Sequence, residues 1–89
     1  MLKLPSKLKI GGHIYTVKLV DPDDIQKDCG ECAVDKLEIK IKRNMPQTMQ
    51  EETLIHEAIH AMNFGLSEES VQYLSMAFYQ LLKDNDLLK

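Results

Sequence analysis

Alternation of apolar and polar residues predicts β-strands in the first half of the chain. Residues 7–10 and 13–20 form two such runs, and Gly11-Gly12 between them supplies the positive φ angles that a type I′ hairpin turn requires. Alternate positions of the second run are apolar, which predicts one buried face: Tyr15, Val17 and Leu19. The polar segment 21–28 then predicts a loop with one helical turn.

A second hairpin is predicted from residues 31–34 and 37–42, which flank Asp35-Lys36. The longer run alternates strictly and therefore has one face towards water: Leu37, Ile39 and Ile41 against Glu38, Lys40 and Lys42. Together the two hairpins predict a small sheet of three or four strands, mostly antiparallel.

In the second half of the chain, the apolar residues recur at the spacing of an α-helix. Thr48 and Glu51 have the form of a capping box, and the first helix is expected over residues 49–64, with Gly65 as its stop. Its apolar residues share one side, with the histidines nearly opposite: Leu54, Ile55, Ala58, Ile59 and Met62.

Ser67 is expected to cap a second helix, which ends at residues 84–86. One face of this helix is apolar and is expected to be buried: Val71, Leu74, Phe78, Leu81 and Leu82. The predicted fold class is therefore α+β, with a sheet followed by two C-terminal helices in a single domain over residues 1–89.

Composition narrows the possible partners. A hydrophobic fraction of 44% and a charged fraction of 28% are ordinary for a globular domain. The net charge of −3 gives no basic excess, so nucleic acid is not an expected partner. The sequence shows neither an apolar run of membrane-spanning length nor the core of a signal peptide, so we expect no membrane association and a cytoplasmic location.

The segment with the clearest chemistry is His56-Glu57-Ala58-Ile59-His60. Residues four apart on a helix lie one above the other, with Cβ atoms about 6 Å apart, so both imidazoles can bind one Zn²⁺. Glu57 lies one residue further round the helix, off the apolar side, where it can take a proton from a metal-bound water. The motif predicts a zinc site with His56 and His60 as ligands and Glu57 as general base.

A catalytic zinc site usually has a third protein ligand. The second helix begins soon after His60 and should double back beside the first helix, which brings Glu68 and Glu69 close. Glu68 lies about 90° from the apolar face and Glu69 nearly opposite it, so Glu68 is the expected ligand. Glu69 or water remains the alternative, and compensation of the helix dipole explains either glutamate equally well.

The motif with a downstream glutamate resembles the gluzincin branch of zinc metallopeptidases, in which the next helix supplies the third ligand. The whole chain is similar to small phage and prophage proteins over several stretches: Leu4-Pro5, Ile10-Gly11-Gly12-His13-x-Tyr15, Gly30-Glu31-Cys32, Leu37-x-Ile39-x-Ile41, Thr53-Leu54-x-His56-Glu57, His60-Ala61 and Tyr79-Gln80-x-Leu82-Lys83-Asp84-Asn85. This resemblance implies a minimal zincin-like domain, with the sheet packed on the motif helix and an edge strand beside the metal. Gluzincins usually place the third glutamate further along, and the inward position 72 is Gln72 here.

The resemblance implies a zinc-dependent peptidase or hydrolase that acts on an intracellular protein or peptide, in the host cytoplasm if the chain is phage-encoded. The alternative is a non-catalytic zinc-binding protein that serves as an interaction module, since 89 residues leave little material for specificity pockets. Catalysis would also use an oxyanion donor, for which three side chains are available: Tyr73, Tyr79 and His13.

Cys29 and Cys32 form a lone C-x-x-C pair. A structural zinc needs four ligands, and a redox motif should open a helix, whereas Cys32 is expected to enter a strand. We interpret the pair as two plain thiols, with a second metal site or a local disulfide as alternatives.

Overall fold

The computed structural model describes residues 4–25, 29–63 and 65–87, so the expected loop residues 26–28 and Phe64 lie outside it. The described chain forms a four-stranded sheet followed by two helices, which confirms the α+β class. The elements are β1 (Lys7–Ile10), β2 (His13–Val20), a 3₁₀ turn (Pro22–Asp24), β3 (Gly30–Ala33), β4 (Glu38–Lys42), α1 (Gln47–Met62) and α2 (Glu68–Asp84). Neither helix has the combination of length and hydrophobicity that a membrane crossing needs, within the described residues.

The first hairpin has the predicted turn. Strands β1 and β2 pair antiparallel, and both turn glycines have positive φ angles, 57° at Gly11 and 85° at Gly12. Tyr15 and Val17 are buried on the inner face of β2, as the alternation predicted. Leu19 is 43% exposed, so the buried face of this strand is shorter than expected.

The sheet is mixed, which corrects the expectation of mostly antiparallel pairing. Its order is β1-β2-β4-β3, with β2 and β4 parallel and the two outer pairs antiparallel. Strand β4 carries Ile39 and Ile41, both 0% exposed, so it occupies a central position where neighbours on both sides cover it. Strand β3 is therefore left at one edge of the sheet.

Helix α1 spans Gln47–Met62, two residues earlier at both ends than predicted. It begins at Pro46, whose carbonyl oxygen accepts hydrogen bonds from the first turn, so Thr48 lies inside the helix and the predicted capping box does not form. The chain leaves the helix at Asn63 in an extended conformation, and Gly65 does not act as the C′ residue.

Helix α1 packs on the inner face of the sheet. Leu54 and Ala58 join the strands in one hydrophobic core, which consists of Ile10, Tyr15, Val17, Ile39, Ile41, Leu54 and Ala58. Ile59 is also buried, but Ile55 is half-buried and Met62 is 67% exposed. The predicted apolar side of α1 is therefore only partly correct.

Helix α2 packs mainly against α1 and begins, as predicted, at the Ser67 cap, whose side chain accepts a hydrogen bond from the Ser70 amide. Its buried residues are Val71, Ser75 and Tyr79. The predicted buried face is only partly correct: Val71 is fully buried, but three of its residues are 36–48% exposed, namely Leu74, Phe78 and Leu81. A helix that covers another helix needs only a narrow contact strip, and small or hydrogen-bonded residues in that strip allow close approach.

A buried polar contact joins the N-terminal half of α1 to the C-terminal half of α2. The Tyr79 hydroxyl donates a hydrogen bond to Glu51, which is 1% exposed, and accepts one from Lys83 at 3.0 Å. Burial alone would raise the pKa of Glu51, but hydrogen bonds from Tyr79 and Gln47, with the nearby Lys83 charge, lower it. Burial and the bond to Glu51 raise the pKa of Tyr79. The carboxylate is therefore held in its charged form between the helices.

Candidate metal centre

Two histidines from α1 face a groove rather than the core. The ring centroids of His56 and His60 lie 5.0 Å apart, one helical turn from each other. Their side chains are 13% and 16% exposed, so each ring is largely enclosed but open at one edge. This agrees with the sequence analysis, which placed both histidines away from the apolar core.

Glu68 lies against both rings. The short connection after α1 returns the chain so that the first residue of α2 sits over the histidine pair. Glu68 Oε1 lies 2.6 Å from His56 Nε2, and Oε2 lies 2.8 Å from His60 Nε2. Glu69, the alternative ligand, is exposed and does not line the groove among the described residues. Of the two glutamates, the fold brings Glu68 to the histidines.

These side chains form a group with the spacing of metal ligands. One ligand atom from each of His56, His60 and Glu68 can be chosen so that all three lie within 4.8 Å of one another. Two imidazole nitrogens and one carboxylate oxygen form a ligand set that zinc accepts at catalytic sites. The group could therefore hold a zinc ion.

Glu57 is buried beside this group, although it was expected only to lie off the apolar side of the helix. It is only 6% exposed because it points towards the edge strand β3. An added Cβ at Gly30 would lie 3.2 Å from Glu57 Cγ and 2.5 Å from Thr53 Cγ2. The absence of a side chain at Gly30 therefore allows β3 to approach this part of α1.

An open groove of about 630 Å³ connects the group with the edge strand. It is lined by β3 and the residue before it, by α1, by the connection between the helices and by the start of α2: Cys29, Gly30, Glu31, Cys32, Met49, Glu52, Thr53, His56, Glu57, His60, Leu66, Glu68 and Gln72. We call this the β3–α1 groove. Gln72 lines the groove, but its side chain is exposed. None of the three predicted oxyanion donors is among the described residues of this lining; Tyr79 instead contacts Glu51, and Tyr73 is 77% exposed.

The two cysteines line the same groove without bonding to each other. Cys29 is exposed and Cys32 is half-buried, and both are free. Burial, with the nearby Glu57 charge, raises the pKa of Cys32 to about 11, so its thiol is protonated at neutral pH. The pair therefore does not form the local disulfide that was one of the alternatives.

Sequence reasoning missed one residue that contacts the histidine pair. Ser75 of α2 is fully buried, and its Oγ lies 3.4 Å from His56 Nδ1. The position was available from helical spacing, because Ser75 follows Glu68 by seven residues and so shares its face. The apolar residues of α2 led the prediction to a different face.

Comparisons of the chain with models of known protein families, with characterised proteins and with solved structures returned no match.

Proposed function

We propose that this chain is a zinc-dependent peptidase or related hydrolase, in which His56, His60 and Glu68 hold the zinc ion and Glu57 acts as general base. The observation that carries this proposal is the convergence of the three possible ligands on one open groove, directly beside a buried glutamate. Helical zinc peptidases use the same residue types at the same spacing within the motif.

The ligand group must adjust to fit zinc, because its three ligand atoms lie within 4.8 Å of one another and not yet at the ideal spacing. With zinc–ligand bonds of about 2.0–2.1 Å, tetrahedral ligand atoms lie about 3.3 Å apart. The present separations of 2.6 and 2.8 Å are slightly shorter, and Glu68 is 72% exposed, so its side chain can move outward. Three protein ligands would leave one position for water or a substrate oxygen on the open side of the β3–α1 groove.

The surrounding residues supply the remaining chemistry. When bound, zinc would polarise a substrate carbonyl and make a water molecule more acidic. Glu57 would accept the proton of the attacking water and pass it to the leaving amine. Its burial between α1 and β3 restricts the rotamers of the side chain, which favours a fixed position for the proton acceptor.

The sheet edge supports a peptide as the substrate. Among the described strands β3 is at the edge of the sheet, and it also lines the β3–α1 groove, so a segment in extended conformation could pair with its outer side. Such pairing would lay a backbone carbonyl along the groove that contains His56 and His60. The resemblance to gluzincins is consistent with a substrate of this type.

The test compares wild type and Glu57→Gln, both loaded with zinc, on casein and a peptide library. Gln retains the size of the side chain but removes the proton acceptor, so cleavage should fall by about 10²–10⁴-fold while zinc content stays unchanged. Glu69→Gln, an exposed glutamate outside the groove, is the matched control and should keep full activity. Activity that survives Glu57→Gln would contradict the assigned role.

A second candidate is a zinc-binding protein that performs no turnover and serves as an interaction module. This candidate is favoured by the positions of Tyr73, Tyr79 and His13, because none of these predicted oxyanion donors is in the described lining of the groove. The same assay separates the two candidates, since a protein of this kind binds zinc with the same residues but cleaves none of the library.

A further inference from the structure

We propose that Ser75 is a positioning residue for the metal centre, which holds His56 in the ring orientation and tautomer that zinc binding requires. The inference rests on the proposed zinc site and assigns a function to a buried hydroxyl of α2. Ser75 is 0% exposed, although serine is usually a surface residue.

The hydrogen bonds of Ser75 determine whether its hydroxyl donates to His56 or accepts from it. A serine hydroxyl has one proton to donate and lone pairs that can accept. Ser75 Oγ donates to the Gln72 carbonyl oxygen at 3.0 Å, and that oxygen can only accept. With its proton engaged there, the hydroxyl acts as an acceptor towards His56 Nδ1, 3.4 Å away.

This arrangement selects one nitrogen of His56 as the metal ligand. The Nε2 atom faces Glu68 and belongs to the ligand group, so it must carry a lone pair when zinc is bound. The proton of the neutral ring is then on Nδ1, in the largely enclosed interface with α2. Ser75 provides the acceptor for that proton, whose burial without a partner would weaken the zinc-bound state.

Ser75 also connects the second helix to the ligand on the first. Glu68 and Ser75 lie on the same face of α2, two turns apart, and both contact His56. Zinc would replace the contact between Glu68 and Nε2, whereas the contact of Ser75 with Nδ1 could remain. A ligand held in this way loses less freedom when zinc binds, which favours higher affinity.

The test measures zinc affinity by competition with a chromophoric chelator. Ser75→Ala removes only the hydroxyl and leaves the ligands intact, so zinc affinity should fall by about 10–100-fold, the usual effect of removing such a partner. Tyr79→Phe is the matched control, since it removes a buried hydroxyl from the same face of α2 that contacts Glu51 and not a histidine. Tyr79→Phe should lower the stability but retain the zinc affinity.

A spectroscopic readout separates positioning from general destabilisation. In ¹⁵N-labelled, zinc-loaded wild type, the His56 Nδ1–H proton should exchange slowly with solvent, and in Ser75→Ala it should exchange rapidly. Equal affinity in wild type and Ser75→Ala, or equal losses in Ser75→Ala and Tyr79→Phe, would overturn the inference and leave the zinc site standing. A wild-type protein that binds no zinc would instead overturn the proposed function, and this inference with it.

Discussion

The close approach of β3 to α1 at Gly30 gives a quantitative prediction for Gly30→Ala. An added Cβ would lie 2.5 Å from Thr53 Cγ2, 3.0 Å from the Lys40 carbonyl oxygen and 3.2 Å from Glu57 Cγ. Ordinary contacts between carbon atoms are about 3.5–4.0 Å, so the overlap with Thr53 is about 1 Å. The Thr53 side chain, the strand or the helix must therefore move.

Two effects of Gly30→Ala oppose each other. Alanine restricts the unfolded chain, which would stabilise the fold by about 0.4–1 kcal/mol where the backbone accepts it. Gly30 does not have a positive φ angle, so backbone strain adds nothing further. Overpacking in a tight contact costs about 1–3 kcal/mol, and we expect it to dominate. The net prediction is a loss of about 1–2 kcal/mol in the free energy of unfolding.

The assay is urea denaturation followed by circular dichroism, since the chain contains no tryptophan. Thr53→Ser removes the Cγ2 methyl group that causes the largest overlap, so it should recover about 1 kcal/mol when combined with Gly30→Ala. Gly12→Ala is the control, because Gly12 has a positive φ angle and nothing within 4 Å, so Thr53→Ser should not rescue it. A Gly30→Ala variant as stable as wild type would refute the steric argument.

Three further predictions concern buried groups of the fold. Tyr79→Phe should lower the free energy of unfolding by about 1.5–3 kcal/mol, because it leaves the buried Glu51 without a hydrogen bond that it accepts while charged. Because the folded pKa of Glu51 is lowered, its contribution is present above the usual value of 4.5 and is lost as the pH falls through the folded pKa. The stability gap between wild type and Glu51→Gln should thus narrow on acidification below that value in denaturation series, and a constant gap would contradict the pKa shift. Cys32, with a pKa of about 11, should react with iodoacetamide at pH 8 far more slowly in the folded protein than in urea, as measured by mass spectrometry; equal rates would contradict its burial.

Local signals predicted the parts of the fold that depend on neighbouring residues. Gly11-Gly12 specified the first turn because only positive φ angles close a two-residue hairpin of this type. Ser67 was correctly placed as a cap because its side chain satisfies an amide three residues later. Helical spacing also separated Glu68 from Glu69, because the angle between them is fixed within one turn.

The features that sequence did not predict depend on contacts between distant elements. Strands β2 and β4 pair in parallel because the second hairpin packs against the first through β4, its more apolar strand. A local sequence pattern does not show which strand of a hairpin will pair with a distant strand. The apolar residues of α2 indicated a face centred on Leu74 and Phe78, but α2 packs on α1 through the narrower strip that contains Ser75. The burial of Glu57 likewise depends on β3, whose approach requires a glycine at position 30.

The measurement that tests the central claim most directly is a zinc titration of metal-free protein, purified without a metal-affinity step. Wild type should bind one zinc ion per chain, and His56→Ala with His60→Ala should abolish binding. Glu68→Gln should weaken binding strongly, whereas Glu69→Gln, the neighbouring glutamate outside the groove, should bind as wild type does. Zinc content that is unchanged in the double histidine variant, or equal affinity in the two glutamine variants, would contradict the assignment of this site.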